Sequence, residues 1–107
     1  MRPERWPVRI GEVKVARETG VLFTIGLGSC VAIALYDQEA RVGGLAHAML
    51  PKPLRTRRPA PPGRFATTAV PELLERMVEH GADSARIRAR LAGGASMFAA
   101  LLPEYGL

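Results

Sequence analysis

The chain has 107 residues, 48% of them hydrophobic and 6% aromatic, with a net charge of +5 and a single cysteine. That is enough for one core and too little for two domains, so residues 1–107 are expected to form a single domain. The lone cysteine excludes an internal disulfide framework and fits a reducing, cytoplasmic setting. The longest apolar run, residues 21–35, is too short for a bilayer and is broken by Gly26, Gly28 and Ser29, so membrane insertion is not expected.

Residues 8–17 read as a strand. Val8 and Ile10 alternate with Arg9, and Val13 and Val15 alternate with Glu12 and Lys14. The phase changes across Gly11, which predicts a bend there. Glu18-Thr19-Gly20 is turn chemistry, and residues 21–25 form a second short strand ending at glycines. Residues 31–36 read as a third strand, apolar on both faces and therefore central in its sheet.

Asp37-Gln38-Glu39-Ala40 separates this strand from another apolar run, residues 41–50, and the two predict a hairpin. If Tyr36 pairs with Arg41, Cys30 falls opposite His47, with Cβ atoms roughly 4.5–5.5 Å apart. A different loop length, or a bulge at Gly43-Gly44, would move that register.

Residues 51–64 contain five prolines and five basic residues with no acidic one, which predicts an extended, mobile loop. Thr67 or Thr68 then caps a helix running to about His80, with Pro71 in its first turn. Val70, Leu73, Leu74, Met77 and Val78 form its apolar stripe, and Gly81 stops it. Ile87, Ala89 and Leu91 alternate with Arg86, Arg88 and Arg90, the pattern of a half-buried strand ended by Gly93-Gly94. Residues 95–102 suggest a short helix before Pro103. The fold class expected is α/β of the α+β type, a mainly antiparallel mixed sheet with flanking helices.

The chemistry-bearing residues are few. Cys30 and His47 lie in the most apolar part of the chain, with Thr24 just upstream. A neutral imidazole can take a thiol proton and release a thiolate nucleophile. With no acidic residue in this stretch, a hydroxyl or a backbone carbonyl has to orient the ring. Backbone N–H groups of Ser29 and Cys30, after the glycines, are candidates for an oxyanion site. On the residues alone a second reading stays open, in which Cys30 is a small buried hydrophobe and His47 a hydrogen-bonded core histidine. His80 reads as a helix C-terminal residue. One Cys and two His are too few for a metal site, and no cofactor motif is present, since no Gly-Lys-Ser/Thr follows the glycines. The basic sets at 51–64 and 86–90 can attract acidic partners, but aromatics are not interleaved with them, so nucleic acid is not expected.

Thr24-Ile25-Gly26-Leu27-Gly28-Ser29-Cys30-Val31 and Val42-Gly43-Gly44-Leu45-Ala46-His47-Ala48-Met49-Leu50-Pro51 together resemble the chemoreceptor glutamine deamidase family, CheD. Gly63-Arg64-Phe65-Ala66 and Ala92-Gly93-Gly94-Ala95-Ser96-Met97-Phe98 fit the same pattern in the same order. The resemblance implies a catalytic Cys30–His47–Thr24 set, no cofactor or metal, and hydrolysis of glutamine side-chain amides on methyl-accepting chemotaxis receptors. It also implies a CheC-type phosphatase as a regulatory partner. Members of the family continue beyond the Gly-Gly-Ala-x-Met-Phe element, so the chain is expected to be shortened at its C-terminus and to lack the family's C-terminal strands. The alternative is a weakly active or inactive homologue that serves as a binding module for such a phosphatase or another acidic partner.

Overall fold

Two strands made of small and β-branched residues form the middle of the molecule, in a computed structural model that describes residues 4–28, 30–49 and 62–93. In chain order the strands are β1 (Arg5–Pro7), β2 (Val13–Arg17), β3 (Val21–Phe23), β4 (Val31–Asp37), β5 (Val42–Ala48) and β6 (Arg88–Gly93). The helix α1 (Ala66–Glu79) lies between β5 and β6, flanked by short 3-10 turns at Pro62–Arg64 and Ser84–Arg86. Strands β2-β5-β4-β6 form an antiparallel sheet in that order, and β1 pairs with β3 in a separate parallel ribbon. The fold is α+β, mainly antiparallel, as the sequence pattern implies. Among the described residues no helix is long and apolar enough to cross a membrane.

β4 is central and apolar on both faces. Val31, Ile33 and Leu35 join Val42, Ala46 and Ala48 of β5 in a core against Ala69, Leu73 and Met77 of α1. Leu73 and Met77 have no exposed surface, and each contributes roughly 1.5–3 kcal/mol by burial. The helix sits directly on β5, because a Cβ at Gly44 would lie 2.5 Å from Leu73 Cδ1. On the opposite face Ala32 and Leu45 pack with Val8, beside Leu22, Leu27 and Ala34.

The hairpin register differs from the expected one. Asp37 pairs with Val42 and Ala32 with His47, so the loop is residues 38–41 rather than 37–40. Asp37 belongs to the strand because its Oδ1 accepts the amides of Glu39 and Ala40, both at 3.1 Å, and shapes the turn from the ladder's last rung. Arg41 takes a left-handed conformation, φ 57°, to close it. The pairing therefore slides by two residues. An even slide leaves every side chain on its expected face.

Other elements depart from expectation for local reasons. The strand expected over residues 8–17 begins only at Val13, since Ile10 and Gly11 form a turn with Gly11 at φ 82°. Val8 instead donates its amide to Phe23 O at 2.8 Å, extending the β1–β3 ribbon. β1 itself was not expected; Trp6 pairs with Leu22, and its ring lies against Gly20 so closely that a Cβ there would collide with it. The helix starts at Ala66 with Phe65 as N-cap and no side-chain cap. Thr68 Oγ1, inside the helix, donates to Pro62 O at 2.6 Å, and Pro71 sits in the second turn. The buried stripe is Ala69, Leu73 and Met77, with Val78 half exposed. Gly81, at φ 102°, ends the helix as expected.

β6 is exposed along its whole length instead of half-buried, because it is the sheet edge and α1 packs over β2, β5 and β4. Of the expected mobile loop at 51–64, residues 51–61 lie outside the described residues and Pro62–Arg64 forms a 3-10 turn. The expected helix at 95–102 also lies outside them.

Candidate functional site

Three chain segments supply the candidate side chains, and His47 lies on the face of the sheet opposite α1. β5 supplies His47, whose neighbours on that face are Ala32 across the ladder and Leu45 along the strand. The loop after β3 supplies Thr24. Cys30 immediately precedes β4, in a turn closed by its own amide donating to Leu27 O at 2.6 Å. Gly26 and Gly28 make this turn possible, with φ 67° and 48°, values an L side chain rarely adopts.

The imidazole is 3% exposed and is held through one nitrogen. Nδ1 lies 2.6 Å from Thr24 Oγ1 and 3.1 Å from the carbonyl oxygen of Val8. Nε2 is buried and has no hydrogen-bond partner among the described residues. A buried polar atom in this state is costly unless something else comes to it, so it is a point where a reacting proton can be received.

Cys30 is 8% exposed and its thiol is not hydrogen-bonded to Nε2. The expected direct opposition of Cys30 and His47 is corrected by the register. His47 faces Ala32, and Cys30 lies two residues before Ala32, just ahead of the first paired residue of β4. Thr24 and His47 are thus in contact, while Cys30 is buried in the turn that leads into β4. The expected oxyanion role of the Cys30 amide does not fit, because that N–H is already used by Leu27 O; Ser29 lies outside the described residues.

A cleft of about 470 Å³ opens onto His47 and Thr24, between Val8 and Ile10 on one side and Phe23 and Ile25 on the other. Ile10 is 55% exposed and Ile25 80%, so the rim offers apolar surface to an incoming chain. Among the described residues no group of three or more His, Cys, Asp or Glu side chains is placed to hold a metal ion.

Two features were not read from the sequence. The Val8 carbonyl is a backbone group, so no side-chain motif announces it. Asp37, with no exposed surface, accepts from Arg86 Nε at 3.1 Å and Nη2 at 3.0 Å and from the Asp83 amide at 2.8 Å. The hydrogen-bonded guanidinium and the amides of Asp83 and Ala40 hold its carboxyl well below the usual carboxylate range, against the opposing effect of burial. This ion pair ties the β4–β5 turn to the segment leading into β6. It removes Arg86 from the basic set of residues 86–90.

The family described as CheD chemotactic sensory transduction matches the chain over residues 49–104. A probable chemoreceptor glutamine deamidase CheD of Methanococcus vannielii is 50% identical over 93 residues, 87% of this chain and 59% of that protein. One from Clostridium novyi is 44% identical over 98 residues, 92% of this chain and 60% of that protein. A chemoreceptor glutamine deamidase CheD of Thermotoga maritima is 46% identical over 91 residues, 85% and 57% of the two chains. Stretches this long necessarily contain Thr24, Cys30 and His47. The chain spans a little under three fifths to three fifths of the length of these relatives.

Proposed function

The chain belongs to the CheD family, and from that premise we propose that it is a protein-glutamine deamidase acting on methyl-accepting chemotaxis receptors in the cytoplasm, with residues 1–107 contributing one domain. His47 takes the Cys30 proton at Nε2, and the sulfur attacks the glutamine side-chain carbonyl carbon. The C–N bond then breaks, and the nitrogen leaves as ammonia with the proton returned by the imidazolium. His47 next deprotonates a water that attacks the thioester, releasing glutamate and restoring the thiol. Thr24 orients the ring throughout.

The observation that carries this reading is the imidazole with one nitrogen anchored by Thr24 at 2.6 Å and the other buried and without a hydrogen-bond partner among the described residues. A proton carrier needs that asymmetry. The apolar rim of Ile10 and Ile25 suits a polypeptide substrate. The test is incubation with receptor fragments, following ammonia and the one-dalton mass gain, with Cys30→Ser as control. Ammonia release that survives the substitution removes Cys30 from the mechanism.

A second reading is a binding module for a CheC-type phosphatase or another acidic partner. Arg88 and Arg90 favour it, being exposed and forming no salt bridge among the described residues. No turnover from a demonstrably folded sample, together with capture of such a partner, selects it.

A further inference from the structure

We propose that the turn over residues 7–12 is the positioning element of the imidazole, with the Val8 carbonyl selecting the tautomer of His47 protonated at Nδ1. This deepens the reading of His47 as proton carrier. Its test is read on the ring itself, so it stands or falls separately from deamidation.

The two neighbours of Nδ1 are not equivalent. A threonine hydroxyl can donate or accept, so the 2.6 Å contact with Thr24 is compatible with either tautomer. A carbonyl can only accept. With a bare Nδ1, its lone pair would face the Val8 oxygen at 3.1 Å, two acceptors in contact inside a buried site. With a proton on Nδ1, the ring donates to Val8 O and Thr24 Oγ1 together, and Nε2 carries the lone pair a base requires. Thr24 then fixes where the ring points, and Val8 fixes which nitrogen is basic.

That role needs a carbonyl that does not move, and the turn around it is bonded on every side. The Val8 amide donates to Phe23 O at 2.8 Å. Lys14 Nζ, reaching across the sheet face from β2, donates to Pro7 O at 2.5 Å, on the peptide that joins Pro7 to Val8. Glu12 Oε1 accepts the Arg9 amide at 2.7 Å and lies 3.8 Å from Lys14 Nζ. The turn also grips the backbone of His47 itself: Gly11 N donates to His47 O at 2.7 Å, and His47 N donates to Glu12 O at 3.1 Å. Ring and main chain of one residue are therefore held by the same short segment, and Lys14 and Glu12 act as positioning residues through it.

The experiment is a ring-nitrogen NMR correlation on the full chain labelled with 15N-histidine, with His80→Gln to assign the signals. The wild-type chain, at a pH where the ring is neutral, is expected to show Nδ1 protonated and Nε2 bare. Thr24→Val is expected to keep that tautomer, because Val8 O remains. Lys14→Met is expected to give a mixture of the two tautomers, and Lys14→Arg to restore the single one. Nε2 protonated in the wild-type chain overturns the proposal, as does a tautomer lost in Thr24→Val and kept in Lys14→Met. If Lys14→Met does not fold, the wild-type and Thr24→Val spectra still decide the part played by the carbonyl.

Discussion

A threonine hydroxyl is a neutral partner for an imidazole, and that limits what Thr24 contributes. It supplies one hydrogen bond and no charge, so its loss costs about one neutral hydrogen bond in the transition state, roughly tenfold in rate. Thr24→Val is expected to lower kcat/KM for receptor glutamine about tenfold, mostly in kcat, and Thr24→Ser to keep most activity; ammonia release measures both. Asp37 is the opposite case, a charge in contact with its counter-charge inside the fold. Its carboxyl is held well below the ordinary value of about 3.9 that it has in the unfolded chain. The stability it contributes is therefore whole above that value and is lost as pH falls through it towards the folded one. Thermal unfolding of the wild-type chain is expected to fall steeply below pH about 4. Asp37→Asn is expected to unfold at lower temperature at neutral pH and to show a shallower acid decline.

At the scale of elements, the contact between α1 and β5 depends on the absence of a side chain. Gly44 faces Leu73 and Met77, and a methyl group there would meet Leu73 Cδ1 at 2.5 Å and Met77 Sδ at 3.1 Å. Gly44→Ala is expected to destabilise the chain by about 1–3 kcal/mol, measured by urea unfolding, because the helix must lift or its side chains leave their rotamers. The hairpin teaches a related lesson. Periodicity located both strands and the face of His47, since side-chain alternation is a local property. It did not locate the register, because that depends on whether Asp37 is the last strand residue or the first loop residue. The Asp37 carboxylate both shapes the turn through the Glu39 and Ala40 amides and pairs with Arg86, far along the chain, a partner no local pattern announces.

Taken whole, the molecule carries two arginines that form no salt bridge among the described residues, Arg88 and Arg90, on the edge strand β6. Arg88 lies opposite Tyr36 and Arg90 opposite Ala34, rungs of β4 on the face that His47 shares. Charge so placed speeds encounter with an acidic polypeptide and is screened by salt. Activity on receptor fragments is expected to fall in kcat/KM with rising ionic strength, and Arg88→Ser with Arg90→Ser to flatten that dependence without changing Tm. A wild-type profile indifferent to salt counts against steering from this strand. The same arginines suit an exposed sheet edge, since charged side chains there discourage pairing with other chains.

Local pattern alone was enough for the order of elements from β2 to β6, the central place of β4 and the stop at Gly81, and it named Thr24, Cys30 and His47 as candidates. Each of these follows from neighbours within a few residues or from a motif of side chains. The N-terminal ribbon, the exposure of β6, the Asp37–Arg86 pair and the grip of residues 7–12 on His47 needed three dimensions. They rest on backbone groups and on partners dozens of residues apart, and a carbonyl such as that of Val8 looks the same in every residue until the fold places an imidazole beside it.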